Sequence, residues 1–236
     1  MSLFINNGFA AGRLFQRVIF LTLGCLILAF PAQAQTSPAA ARPNPAPAGS
    51  EKKSVSFTEE DRAGALKAFD ETRTEFLNEI SELSEAQLNF KTAPDRWSAA
   101  EVAEHIILAE NLIYGLITDK ILKNPAPEGK DNFRVKDRAI WLAITNRSTK
   151  FTAPEVIQPK NRWKTKAEIL SNFKETRGKT VSFIKSTSED LRNHFGENPG
   201  LGVIDGYQWF LFMNAHTARH LAQIAEIKAD PNFPKN

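Results

Sequence analysis

The chain has 236 residues, 42% hydrophobic and 24% charged, with 30 Lys and Arg against 27 Asp and Glu. An apolar fraction close to the globular average excludes collagen-like and wholly disordered chains. The near-neutral charge balance excludes the basic field that drives nucleic-acid binding, so no nucleic-acid partner is expected.

Residues 1–17 carry two cations, Arg13 and Arg17, and no acid, and Val18 to Phe30 is an unbroken apolar run. Pro31 ends that run, and Ala32-Gln33-Ala34 places small residues at the −3 and −1 positions of a cleavage site. This order reads as a secretory signal peptide over 1–34, cleaved after Ala34. Thirteen apolar residues at about 1.5 Å each fall short of a ~30 Å hydrocarbon core, so export to the periplasm or the exterior is expected, with no stable membrane anchor after cleavage. Lipidation at Cys25 is the minor alternative, because Thr22 stands where a lipoprotein signal has Leu. Cleavage removes the only cysteine, and with it any disulfide or thiolate. Residues 35–55 are rich in Pro, Ala and Ser and read as a disordered linker. The folded domain is expected over 56–230, followed by a C-terminal tail over 231–236.

Helical periodicity dominates the remainder. The first long helix is expected from Thr58 to Leu83, capped by Thr58 with Asp61 and striped by Leu66, Phe69, Phe76, Leu77, Ile80 and Leu83. Ser84 and Gln87 form a capping-box pair for a short turn of helix. The second long helix opens at Ser98 with Glu101 and runs to about Leu122, with Val102, Ala109, Leu112 and Leu116 inward. Pro125 and Pro127 end it. Segment 123–164 is irregular, with a short helix expected around Val135–Thr145. The third long helix opens at Thr165 with Glu168, and the fourth at Asp205, running to about Lys228. No alternating strand pattern of useful length is present. Two helices, a crossover and two more describe an all-α four-helix bundle with one long connection between its second and third helices.

There are four histidines: His105, His194, His216 and His220. At about 100° per residue, His105 shares the apolar stripe of its helix, and His216 and His220 lie one turn apart on the apolar face of the last helix. Buried imidazoles need partners. Core histidines bonded to their neighbours are one answer, but an i, i+4 pair with a third on a facing stripe favours a divalent metal with an open coordination position. The sequence does not choose between zinc, nickel, iron and manganese, since imidazole suits several of these and geometry decides. Gln223 is a candidate partner for a ligand ring, and Glu101 a candidate proton acceptor that also serves as a cap. Arg219 lies about 100° off the face and is expected in an ion pair at the bundle edge or a dimer face. His194, in a polar stretch, is expected at the surface. Trp97 and Trp209 are expected in the core near the histidines. His216-Thr-Ala-Arg-His220 lacks the Glu of the metalloprotease helix, and no phosphate loop or nucleophile elbow is present.

The stretches PDRWSAAEVAEHIILAE (94–110) and DGYQWFLFMNAHTARHLAQIAEI (205–227) resemble the second-helix and last-helix signatures of the DinB-like family. The similarity runs over roughly 57–230. It implies a four-helix bundle with two parallel-running pairs and a divalent metal held by His105, His216 and His220. Members of this wider group include metal-dependent thiol transferases and isomerases, and DinB-like proteins are often homodimers. The expectation is therefore an exported metal-dependent hydrolase or (thiol) transferase acting on a small molecule. The alternative is a non-catalytic periplasmic binder of metal or a small ligand.

Overall fold

The computed structural model describes residues 55–124, 126 and 136–235. The signal peptide, most of the linker, Cys25 and the helix-ending Pro125 and Pro127 lie outside the described residues. Among the described residues there are six α-helices: α1 (Glu59–Ser81), α2 (Glu85–Asn89), α3 (Ala99–Asp119), α4 (Asp137–Thr145), α5 (Lys166–Ser186) and α6 (Gly206–Lys228). Among the described residues, no helix is long and apolar enough to cross a membrane.

Five helices start at reciprocal capping boxes. Thr58 with Asp61, Ser84 with Gln87, Ser98 with Glu101, Thr165 with Glu168 and Asp205 with Gln208 each exchange side-chain and backbone bonds. Each box satisfies two groups that a helix terminus otherwise leaves unpaired. The second long helix ends at Asp119 and passes through a 3₁₀ turn at Ile121–Lys123.

Helix α1 packs on α5 and α6, and α3 packs on the same two. Consecutive long helices therefore lie across the diagonals of the bundle, α1 with α3 and α5 with α6. Helix α4 lies along α6. Because α3 meets neighbours on several sides, Val102 to Ile107 are all buried and the helix has no broad solvent face. Leu112, expected inward, is 44% exposed. Toward its C-terminal end the buried face of α3 rotates by one residue, so Ile113 and Ile117 take the core positions and Leu116 is partly buried beside them.

A short two-stranded sheet without any alternating pattern is added to the helices. Phe195–Asn198 (β1) and Gly202–Asp205 (β2) form an antiparallel hairpin. The strands have four residues each, too short for a visible alternation, and Gly202 supplies the positive φ of 73° that the turn requires. Asp205 ends β2 and also caps α6. At its start, Gly206 lies so close to Leu191 that an added Cβ would sit 2.9 Å from that residue's carbonyl oxygen. The stretch set apart as a tail is packed: Phe233 meets Phe90 edge-on at 5.6 Å, and Pro234 accepts a hydrogen bond from Gln87.

Three buried charged groups join the elements. Arg177 of α5, fully buried, makes a two-pronged pair with Glu110 of α3 at 2.9 to 3.2 Å. It also donates to the Phe69 carbonyl and the Thr72 hydroxyl of α1 and to Thr217 of α6. All four long helices therefore meet at one guanidinium. Arg192 joins Asp61, Asp137 and Asp205 at the starts of α1, α4 and α6. Glu104 of α3 ties down segment 160–162.

Candidate metal centre

His105, His216 and His220 converge. One ring nitrogen from each lies within 4.8 Å of the others. The ring centroids are 5.1 Å apart for His105 and His216, 4.6 Å for His105 and His220, and 4.5 Å for His216 and His220. The cluster occupies the seam between α3 and α6, where α3 aims His105 outward from the Arg177 network and α6 supplies the i, i+4 pair. A 3₁₀ turn at Glu155–Ile157 covers it.

The hydrogen bonds assign the tautomers. Nδ1 of His105 lies 2.8 Å from the Ile157 carbonyl, which can only accept, so Nδ1 carries the proton. Nδ1 of His220 lies 2.9 Å from Oε1 of Gln223 and donates to it in the same way. Both rings therefore present an Nε2 lone pair. Nε2 of His105 is 3.3 Å from Nε2 of His216. That separation equals the edge of a tetrahedron with metal–nitrogen bonds of about 2.0–2.1 Å.

The electrostatics agree. Burial lowers the pKa of His105, and its bond to Ile157 only partly opposes this. Burial and the neighbouring His220, His105 and Arg219 hold His216 well below its ordinary value. Burial, with His105 beside it, brings His220 down to about 3 despite Gln223. All three rings are neutral at physiological pH, the state that ligates a metal. Neutral donors, free Nε2 lone pairs and acceptors behind two of the rings fit a divalent ion.

Other expected residues fall into place or move. Glu101 is committed to its cap and to Lys91 at 2.8 Å, away from the cluster. Gln223 backs His220. Trp97 packs on His105 at 4.9 Å. Trp209 is buried, but it sits against Phe212 and donates to the Gly196 carbonyl, so it reaches His216 only through Phe212. His194 is partly buried, bonded to the Asn124 carbonyl and apart from the cluster. Arg219 is corrected: instead of an ion pair, its guanidinium donates to the carbonyls of Ile144, Asn146 and Thr149 and holds the end of α4 on α6. Arg147 makes the two-pronged ion pair nearby, with Glu226 at 2.6 and 2.7 Å.

Three contributors escaped the sequence reading. Glu104 interrupts an apolar run beside His105, and a carboxylate there signals a buried partner. Arg147 lies in the irregular segment. Ile157 acts through its carbonyl, which side-chain chemistry does not reveal. A pocket of about 230 Å³ lined by Arg96, Trp97, Gln223, Glu226 and Asp230 flanks the cluster.

Comparison with known proteins follows the same lines. YuaE of Bacillus subtilis (strain 168), an uncharacterized protein, is 24% identical over 163 residues, which is 69% of this chain and 96% of YuaE. The solved structure of YfiT from Bacillus subtilis is described as a probable metal-dependent hydrolase with an unusual four-helix bundle topology. It is 12% identical, with a TM-score of 0.47, over 75% of this chain and 90% of its own. The DinB superfamily profile matches residues 68–224, well over half of the chain and inclusive of all three clustered histidines, so the chain belongs to the DinB superfamily.

Proposed function

We propose that His105, His216 and His220 hold one divalent metal ion and that this centre acts on a small molecule by hydrolysis or group transfer. The observation that carries the reading is the convergence of three neutral imidazoles, two of them with tautomers set by acceptors behind the rings. A bound ion would supply Lewis acidity to a substrate oxygen. The protein's own residues would do the rest. Ile157 and Gln223 hold the rings, Trp97 shields His105 from water, and a shallow cleft beside Gln223 borders the cluster. Among zinc, nickel, iron and manganese, an all-imidazole donor set suits the first three best. The reading extends to export by the 1–34 leader, supported by its cationic start, apolar run and Ala-Gln-Ala site. N-terminal sequencing of the mature protein would check that extension, with a start at Gln35 expected.

Metal content measured by elemental analysis in wild type and in His216→Ala tests the centre. About one ion per chain is expected in wild type, with loss in the variant. Equal and negligible metal in both would end the reading.

A second reading is a metal or small-ligand binder without turnover. One observation favours it: the carboxylates on the site's own helices are engaged elsewhere, Glu101 in a cap, Glu104 with segment 160–162 and Glu226 with Arg147. A turnover screen on metal-loaded protein with esters, amides and thiol-plus-electrophile pairs separates the two readings.

A further inference from the structure

Residues 155–163 form a strap across His105, and the strap is fastened by the residue next to it in sequence. Glu104 is 2% exposed. Its carboxylate accepts the Lys160 N–H at 2.8 Å, the Arg162 N–H at 3.1 Å and Nη1 of Arg162 at 2.7 Å. A buried carboxylate is tolerated only where donors take up its lone pairs, and the strap provides three. The exposed Lys160–Glu155 pair on the same strap adds little by comparison.

The strap delivers one atom to the metal centre. The Ile157 carbonyl takes the Nδ1 proton of His105, three residues before the first Glu104 anchor. The neutral histidine side chain in water, its ring made unsymmetrical by Cβ, prefers the proton on Nε2, the nitrogen that must be bare to ligate. The carbonyl reverses that preference only while it stays in place. Pro159, between carbonyl and anchor, stiffens the link.

We propose that Glu104 is a positioning residue for the metal centre. By anchoring the strap through Lys160 and Arg162, it keeps the Ile157 carbonyl on Nδ1 of His105 and so leaves Nε2 free to face His216 and His220. The proposal rests on the reading of the three histidines as a metal site. It adds an outer layer to that site: the carboxylate orients the backbone that orients the ligand.

The test uses Glu104→Gln, which preserves volume but turns one acceptor into a donor, and Arg162→Ala, which removes one surface-reaching arm. Three quantities are read: the His105 tautomer by nitrogen-15 NMR of metal-free protein, zinc affinity by chelator competition, and hydrogen exchange at the Lys160 and Arg162 amides. In Glu104→Gln, His105 is expected to shift toward the Nε2–H form, zinc affinity to fall roughly 10–100-fold, and both amides to exchange faster. Arg162→Ala is expected to show the same changes at a few-fold. A wild-type tautomer and affinity in Glu104→Gln would overturn the proposal, whether or not the amides stay protected. Should Glu104→Gln fail to fold, wild-type values in Arg162→Ala would overturn it. If wild type itself binds no zinc, the metal reading falls, and the tautomer measurement still decides what Glu104 does.

Discussion

Helices α3 and α6 carry two buried polar clusters that differ in one respect. Glu110 of α3 and Thr217 of α6 meet Arg177 where every donor of the guanidinium has a partner and Phe69 and Phe173 flank the charge at 4.8 and 5.1 Å. His105 of α3 and the pair on α6 meet with ring nitrogens turned toward one another, His105 Nε2 lying 3.3 Å from His216 Nε2, and with acceptors behind His105 and His220. The first cluster is closed and ties four helices together. The second gathers three imidazoles at its centre, where the proposed ion would sit. Burial of polar atoms alone does not mark a ligand site. Convergence of imidazole nitrogens from two helices is the better sign.

Breaking the closed cluster is expected to have the largest effect. Arg177→Met strands the Glu110 carboxylate in the core and is expected to cost about 3–5 kcal/mol in denaturant unfolding. Adding Glu110→Leu to it should recover most of that loss. A single variant as stable as wild type would remove the Arg177 network from the account of the fold.

Opening the second cluster should do less to the fold and more to the ion. A chelator is expected to lower the unfolding free energy of zinc-loaded wild type by about 2.7 kcal/mol when free zinc had been 100 times its Kd. His216→Ala should show no such change. Equal chelator sensitivity in both proteins would mean that the ion sits elsewhere.

Acid sharpens the contrast. Above pH 6.5, folded and unfolded metal-free chains both hold neutral imidazoles, and these groups contribute no pH dependence. As pH falls through 6.5 the unfolded chain takes up protons that His105, His216 and His220 resist in the folded chain, so stability declines toward pH about 3, the folded value of His220. The variant His216→Ala/His220→Gln should show a shallower decline in urea midpoints over that range. An unchanged slope would show that the cluster does not cause it.

The smallest effects test the periphery of α3. Ser98→Ala, which removes its cap, is expected to cost about 1 kcal/mol. Leu112→Ser should stay within about 0.5 kcal/mol, as an exposed site does.

Much of the architecture was legible because it is encoded locally. Four of the five capping boxes were visible as residue pairs three apart, Asp205 was visible as an N-cap without its partner Gln208, and all five start the helices where expected. The histidine spacing was equally legible, since helical geometry fixes which residues share a face. The hairpin was not, because two four-residue strands leave no period to detect. The strap at 155–163 was not either, because its part is played by backbone atoms, which every residue possesses.

By itself, the amino-acid sequence determined the helices, their starting points and which three imidazoles face a common seam, since each depends on neighbours within one or two turns. Tertiary structure alone decided that consecutive helices lie across diagonals, that Arg219 grips carbonyls instead of a carboxylate, and that Glu104 reaches 56 residues along the chain to fasten the strap. Those outcomes depend on which distant backbone groups arrive beside a buried charge, and no local pattern specifies that arrival.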